Sequence, residues 1–397
     1  LAKGLILYSE SDAARPQQTS ARFVTLRQDQ EAARLRGYLR GDAQELLERD
    51  AVAKPVTTLQ AGALRAQTAE WTFEIVQLAE LQRDPWWRRA LRALRPETWV
   101  LSLAPVLSTL GWLAASSAEP LSAWRALAAV IGVIALHAAI NLFGDYHDHM
   151  RGWDRVPERG ADRVLARGDF RGFEILRAAW ATAGLAALCG ALLLVANFAH
   201  ITWKSALLLC MVLAVALEFG VSRWGLKYRG LGELAAWFFF GPWLTGGLSW
   251  ALTGSIPWSA WVMGLPFGTM ALLILHLRNF ERIMIDSQAG LGTWPARAGF
   301  EASKKFTWFC AIALMASLAA LLVFADPSPE RFLPVIATSL GLGPLVGVVR
   351  SVRSPSGGEL HGLSQRGLRL AWAMALSFWI SDLIRLWGSA ALARIFS

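Results

Sequence analysis

The sequence predicts an all-α, polytopic membrane protein: nine transmembrane helices in one bundle, preceded by a mixed or helical amino-terminal extension. Three observations predict it. Hydrophobic residues make up 54% of the 397-residue chain, and from Trp99 onward they gather into runs. The runs lie at 98–115, 123–143, 175–198, 205–221, 233–251, 259–277, 306–324, 332–349 and 369–390. Each is near the ~20 residues that cross a ~30 Å hydrocarbon layer, within which only helices or closed barrels satisfy their backbone groups. The charge lies between the runs, with an asymmetry that fixes the topology.

Residues 1–90 form a separate amino-terminal region, with 91–397 as the transmembrane domain. Gly4 to Tyr8 reads as a short strand, residues 25–50 as a polar helix, Pro55 to Gly62 as its break, and 69–83 as amphipathic. No nucleotide loop, metal spacing or nucleophile motif occurs there. The region is either a solvated extension or a module that docks a protein partner. Its end, Trp86-Trp87-Arg88-Arg89 through Arg92 and Arg95, places aromatics and cations at helical spacing. Such a helix suits the headgroup layer.

The spans follow. The net charge of +9 is a topological signal and not a nucleic-acid one. With the first span starting inside, Arg88, Arg89, Arg92 and Arg95 are cytoplasmic, as are the connections at 144–173, 222–232, 278–305 and 350–368, all rich in Lys and Arg. The connections near 116–122 and 252–258 carry no Lys or Arg, and that near 325–331 carries only Arg331. The positive-inside rule then places the amino terminus and the polar loops in the cytoplasm and the carboxyl terminus outside the cell membrane. Cys189, Cys210 and Cys310 all fall in spans and read as packing residues. Trp99, Trp203, Trp258, Trp261 and Trp387 lie near span ends, as interfacial anchors do. His276 and Arg278 read as headgroup anchors, and Asp382 with Arg385 as a self-neutralising pair inside the last span.

The second span closes on Asn141-Leu-Phe-Gly-Asp145-Tyr146-His147-Asp148-His149-Met-Arg151-Gly152-Trp-Asp154. On a helix, His137, Asn141, Asp145 and Asp148 fall within about 80° of one another and form one stripe at the cytoplasmic mouth. Carboxylates on one stripe repel unless a cation lies between them. Hard oxygens suit Mg2+, which bridges carboxylates to phosphate. Carboxylates in or beside a membrane are expensive and usually functional.

These residues resemble the first Asp-rich motif of the UbiA-type prenyltransferases, and most nearly the branch that attaches a polyprenyl tail to 1,4-dihydroxy-2-naphthoate in menaquinone biosynthesis. Further stretches are similar in order and spacing: Arg95-Pro96-x-Thr98 with Pro105, Arg163 with Gly168, and Tyr228-Arg229-Gly230-Leu231-Gly232-Glu233 followed by Phe238-Phe239-Phe240-Gly241. The resemblance covers roughly 90–390 and implies a nine-helix bundle.

The family's second acidic motif corresponds to Arg278-Asn279-Phe280-Glu281-Arg282-Ile-Met-Ile-Asp286, with Ala289-Gly290-x-x-Thr293 after it. Here the sequence departs from the pattern. Where the family has Arg then Asp, this chain has Glu281 then Arg282. On a regular helix Asn279, Arg282 and Asp286 share a side, and Glu281 points away. Arg282 either binds diphosphate directly, as a guanidinium forks onto phosphate oxygens, or pairs with Asp286 and quenches the site. A local unwinding that turns Glu281 inward is a third alternative.

The resemblance implies catalytic roles for Asp145, Asp148, Asp286 and Asn141, with Mg2+ held by Asp145, Asp148 and Asp286. It implies substrate contacts from Arg163, Lys227, Tyr228, Arg229, Asn279, Arg282 and Tyr146, with aromatics such as Phe239 and Trp243 facing an allylic cation. The implied substrates are a polyprenyl diphosphate and an aromatic acceptor, within membrane lipid. Arg282 and the long extension favour a rival: a catalytically impaired relative kept as a membrane subunit or prenyl-lipid binder. A transporter would show paired inverted hydropathy or broken helices, and the sequence shows neither.

Overall fold

The computed structural model describes residues 22–27, 51–55, 70–77, 85–116, 120–150, 163–165, 169–203, 205–206, 230–288, 290–355 and 358–396. Its contacts divide the chain into two units, Leu1–Ala93 with Asp145–Ile175, and Leu94–Gly144 with Leu176–Ser397.

The first unit holds an antiparallel sheet of β1 (Arg22–Arg27), β2 (Ala51–Pro55) and β3 (Glu70–Gln77), in the order β1-β3-β2. Arg22 faces Ile75, and Ala51 faces Gln77. The stretch at 69–83 therefore contributes the central strand. Trp71, Phe73 and Ile75 alternate with Thr72, Glu74 and Val76, and a period of two suits a strand. Residues 25–27 belong to β1 and not to a polar helix. The rest of that stretch, and Gly4 to Tyr8, lie outside the described residues.

The basic helix is present as α1 (Trp86–Leu94), with Trp86 and Trp87 exposed. Arg89 donates to the carbonyl of Asp169 at 2.7 Å, and Arg92 meets the Asp169 carboxylate at 3.1 Å. Arg89 also lies over the Phe170 ring. One face of α1 is thus tied to the segment that follows Arg163.

The second unit contains α2 (Val100–Ser116), α3 (Ala123–Met150, through Gly144) and α4 (Gly172–Ala196, from Leu176). It continues with α5 (Gly232–Phe240), α6 (Pro242–Thr253), α7 (Trp258–Glu281), α8 (Ile283–Gln288) and α9 (Trp294–Ala298). The last helices are α10 (Phe300–Phe324), α11 (Phe332–Ser351) and α12 (Leu363–Phe396). Among the described residues six helices are long and apolar enough to cross a membrane, or seven when the short helices before Val100 are joined to α2. The expected fourth span lies mostly outside the described residues. The fifth is two short helices, α5 and α6, which meet at Gly241.

Only glycine fits at that break. A Cβ on Gly241 would lie 2.6 Å from the Cα of Gly268, and one on Gly264 would lie 2.5 Å from the Cα of Pro242. The α5–α6 junction therefore crosses α7 backbone to backbone. Helix α7 is the hub, apolar all round and packed against α5, α6, α10 and α12. Met263, Phe267, Met270, Leu273 and Leu277 form the centre of the core. Trp203, Trp258 and Trp387 face outward, as lipid-contacting anchors would. Cys189 and Cys310 are buried and unbridged, in accord with packing roles; Cys210 lies outside the described residues.

Two expectations are corrected here. His276 is no headgroup anchor: it is fully buried, with Nε2 at 3.0 Å from the Ser303 carbonyl and 3.1 Å from the Thr307 hydroxyl. Phe280, Trp294 and Phe306 surround its ring. Asp382 is neutralised not by Arg385 but by Arg331, at 2.6 Å. Arg331 also donates to Asp326 at 2.8 Å, and Arg385 completes the set on Asp326 at 2.7 Å. The lone cation of the 325–331 connection is therefore buried, where it meets two carboxylates.

Candidate active site

In the first unit, Asp145 and Asp148 lie at the end of α3, 2% and 1% exposed. The helix runs unbroken to Met150, so their one-turn spacing puts both on the same side. Arg163 reaches back from the following segment and bridges them. One guanidinium nitrogen pairs with Asp145, and the other donates to Asp148 Oδ2 at 3.0 Å. The resemblance implies a substrate contact from Arg163 and a metal on the acids; in this structure the guanidinium lies between the acids. Tyr146 points its ring edge toward His147, and Gly172 passes close to it. Asp154, Gly168, Lys227, Tyr228 and Arg229 lie outside the described residues.

In the second unit, the same helix one turn earlier builds a polar cluster. Asn141 donates to the Leu94 carbonyl and to Thr98 Oγ1, each at 3.4 Å. Buried His137 joins Ser102 at 2.6 Å and Thr98 at 3.0 Å. Asn141 is thus tied to the Arg95-Pro96-x-Thr98 turn, where Arg95 adopts φ 51°. His137 was placed on the acidic stripe by spacing, but its partners Ser102 and Thr98 were not anticipated.

Also within the second unit, the end of α7 carries the other constellation. The helix breaks at Arg282 (φ −105°, ψ 15°) and resumes as α8. The regular helix assumed across 279–286 is therefore interrupted. Glu281 does not turn into the site. Its carboxylate accepts from the Gly362 amide at 2.6 Å and from the Ser364 amide and hydroxyl at 3.2 and 2.6 Å. It caps the amino terminus of α12, where unsatisfied amides and the helix dipole favour an anion. Asp286 is 1% exposed and accepts from Thr293 Oγ1 at 3.1 Å.

Asn279 donates from Nδ2 to Glu233 Oε1 at 2.7 Å, and Glu233 is 4% exposed in the first turn of α5. In the sequence Glu233 stands out only as the end of its glycine loop; its partner, 46 positions away, is not legible there. Gly230, at φ +75°, lets that loop come up against Gly292; a Cβ there would lie 3.2 Å from the Gly292 carbonyl. Phe238, Phe239 and Trp243 form one aromatic cluster on α5 and α6.

Among the described residues no three His, Cys, Asp or Glu side chains converge as a metal cluster. The donors nevertheless fit Mg2+ in kind, since that ion needs only one or two carboxylates and keeps several waters beside phosphate oxygens.

An apolar multi-pass bundle with buried acids at helix ends defines a membrane protein equipped to handle concentrated charge at the edge of lipid. The chain belongs to the UbiA prenyltransferase family, which matches residues 102–362. It is 30% identical, over 71% of its length and 93% of the relative's, to a 1,4-dihydroxy-2-naphthoate octaprenyltransferase of Mycobacterium tuberculosis. It is 29% identical to the enzyme of the same name from Escherichia coli, over 58% of this chain and 77% of that one. In fold it is similar to a UbiA homologue from Archaeoglobus fulgidus solved bound to GPP and Mg2+. That likeness has a TM-score of 0.54 at 14% identity, over 75% of this chain and 99% of the other.

Proposed function

We propose that the protein transfers a polyprenyl group from a polyprenyl diphosphate to an aromatic acceptor, with 1,4-dihydroxy-2-naphthoate as the acceptor. The observation that carries this is the buried pair Asp145–Asp148 gathered around a cation at the end of a membrane helix. Such a place is built to hold positive charge, and an allylic diphosphate can leave only where positive charge meets its oxygens. The relatives' acceptor supports the naphthoate, and the neighbour's GPP and Mg2+ support the metal and the donor class.

In this reading Asp145, Asp148 and Asp286 would hold Mg2+, which when bound would neutralise the departing diphosphate. Arg163, Lys227, Tyr228, Arg229, Asn279 and Arg282 contact the diphosphate end, and Asn141 and Tyr146 line the mouth. The C–O bond of the allylic carbon breaks, and the electron pair leaves with diphosphate. The electron-rich ring then forms the new C–C bond and loses a proton. The aromatic rings of Phe238, Phe239 and Trp243 suit an allylic cation. In this reading the polar loops are cytoplasmic and the carboxyl terminus is outside, and residues 1–90 are a separate region, either a solvated extension or a module that docks a protein partner.

A second reading, a prenyl-diphosphate binder without turnover, is favoured by Arg282 at an expected acid and by the use of Glu281 as a cap. Incubating purified protein with labelled polyprenyl diphosphate and naphthoate, with and without Mg2+, separates the two. Mg2+-dependent prenylation of the ring supports transfer. Tight binding of the diphosphate with no product supports the binder.

A further inference from the structure

We propose that Glu233 is a positioning residue that fixes the amide of Asn279 at the diphosphate end of the site, upholding the second constellation despite the acid missing at position 282. The inference rests on the prenyl-diphosphate reading above and deepens it.

The chemistry of the pair carries it. Oε1 of Glu233 accepts a hydrogen bond, so the group that faces it must be a donor. Asn279 meets it with Nδ2, at 2.7 Å and buried. That contact settles which way the amide lies: one N–H is committed to Glu233, and Oδ1 and the second N–H are left for the site. Oδ1 is a hard oxygen of the kind that joins a Mg2+ shell, and the second N–H suits a phosphate oxygen.

Glu233 is itself held rigidly. It stands in the first turn of α5, and α5 is pinned to α7 where Gly241 and Gly268 bring the two backbones together. The other acid of this region, Glu281, is spent on the α12 amides. Glu233 thus hydrogen-bonds a residue of the second constellation from a neighbouring helix.

The test measures binding, not turnover, on the full chain in detergent. The probe is a non-cleavable thiolodiphosphate analogue of a prenyl diphosphate, titrated at several Mg2+ concentrations. Glu233→Leu, which offers no acceptor, should weaken binding about tenfold or more and raise the Mg2+ required, as loss of an orienting partner does. Glu233→Gln keeps an acceptor oxygen and should stay within a few-fold of wild type. Because Glu233 acts through Asn279, Glu233→Leu should add nothing in an Asn279→Ala background. If Glu233→Leu fails to fold, Glu233→Met is read in the same way. Unchanged affinity and Mg2+ dependence in a folded Leu or Met variant would overturn the proposal, as would losses that simply add to those of Asn279→Ala. A wild-type chain that binds no probe would sink the parent reading itself, which separates that failure from failure of the Glu233 assignment.

Discussion

At the end of α3 the Arg163 guanidinium lies between two buried carboxylates, and that contact governs what substitution does there. Replacing Arg163 by Met leaves Asp145 and Asp148 facing each other without it. Removing one partner from a buried ion pair destabilises by about 3–5 kcal/mol, so Arg163→Met should lower the thermal midpoint markedly in detergent. Asp148→Asn removes charge instead of stranding it. In the proposed enzyme it should fold and lose about 10²-fold or more in turnover, the scale of losing one electrostatic contact to the leaving group. Glu281 gives the contrast. As the cap of α12, Glu281→Ala should cost about 1 kcal/mol and leave prenyl-diphosphate affinity unchanged. A large loss of affinity without loss of stability would show that Glu281 works in the site after all.

Among the elements, the junction of α10, α11 and α12 is held by Asp326, Arg331, Asp382 and Arg385. Asp326 lies in the connection itself. Burial works to raise its pKa, yet the Arg331 and Arg385 charges and the Arg331 and Ser328 hydrogen bonds together bring it below the ordinary carboxylate value. A lowered folded pKa means stability that is complete above the unfolded value and is lost as pH falls through the folded one. The thermal midpoint should therefore be insensitive to this group near neutrality and fall below about pH 4. Asp326→Asn should start lower and lack that acid step. The α5–α6 crossing of α7 makes a different demand. Gly268→Leu drives a side chain into the backbone of the neighbouring segment, and the expected outcome is loss of folded protein in a fluorescence size-exclusion profile.

For the whole molecule, the membrane topology is the testable claim. Reporters fused within 350–368 and after Ser397 should read as cytoplasmic and external respectively, as the distribution of Lys and Arg predicts. The same sign for both reporters would overturn the proposed orientation. What was legible in the sequence followed from local rules. A run such as 306–324 announces a helix in lipid whatever surrounds it, because length and apolarity are measured against the bilayer. Asp145 and Asp148 announce a shared face because helical spacing is local. Glu281 was read as turned away from Asn279, and it is. Where it goes could not be read, since its partners at 362 and 364 are 81 and 83 positions distant. Residues 69–83 were legible as amphipathic but not as a strand, because only the pairing with β1 and β2 settles that the period is two.

By itself, then, the sequence determined that this chain lives in a membrane, roughly where its helices run, and that Asp145 and Asp148 share one side of α3. Only the tertiary structure decided who holds each charge: Arg163 the first pair of acids, Glu233 the Asn279 amide, Arg331 both Asp326 and Asp382. The reason is physical. A span is set by a solvent that every residue meets in the same way, whereas a buried charge must find its counterpart among whatever side chains packing brings within about 3 Å.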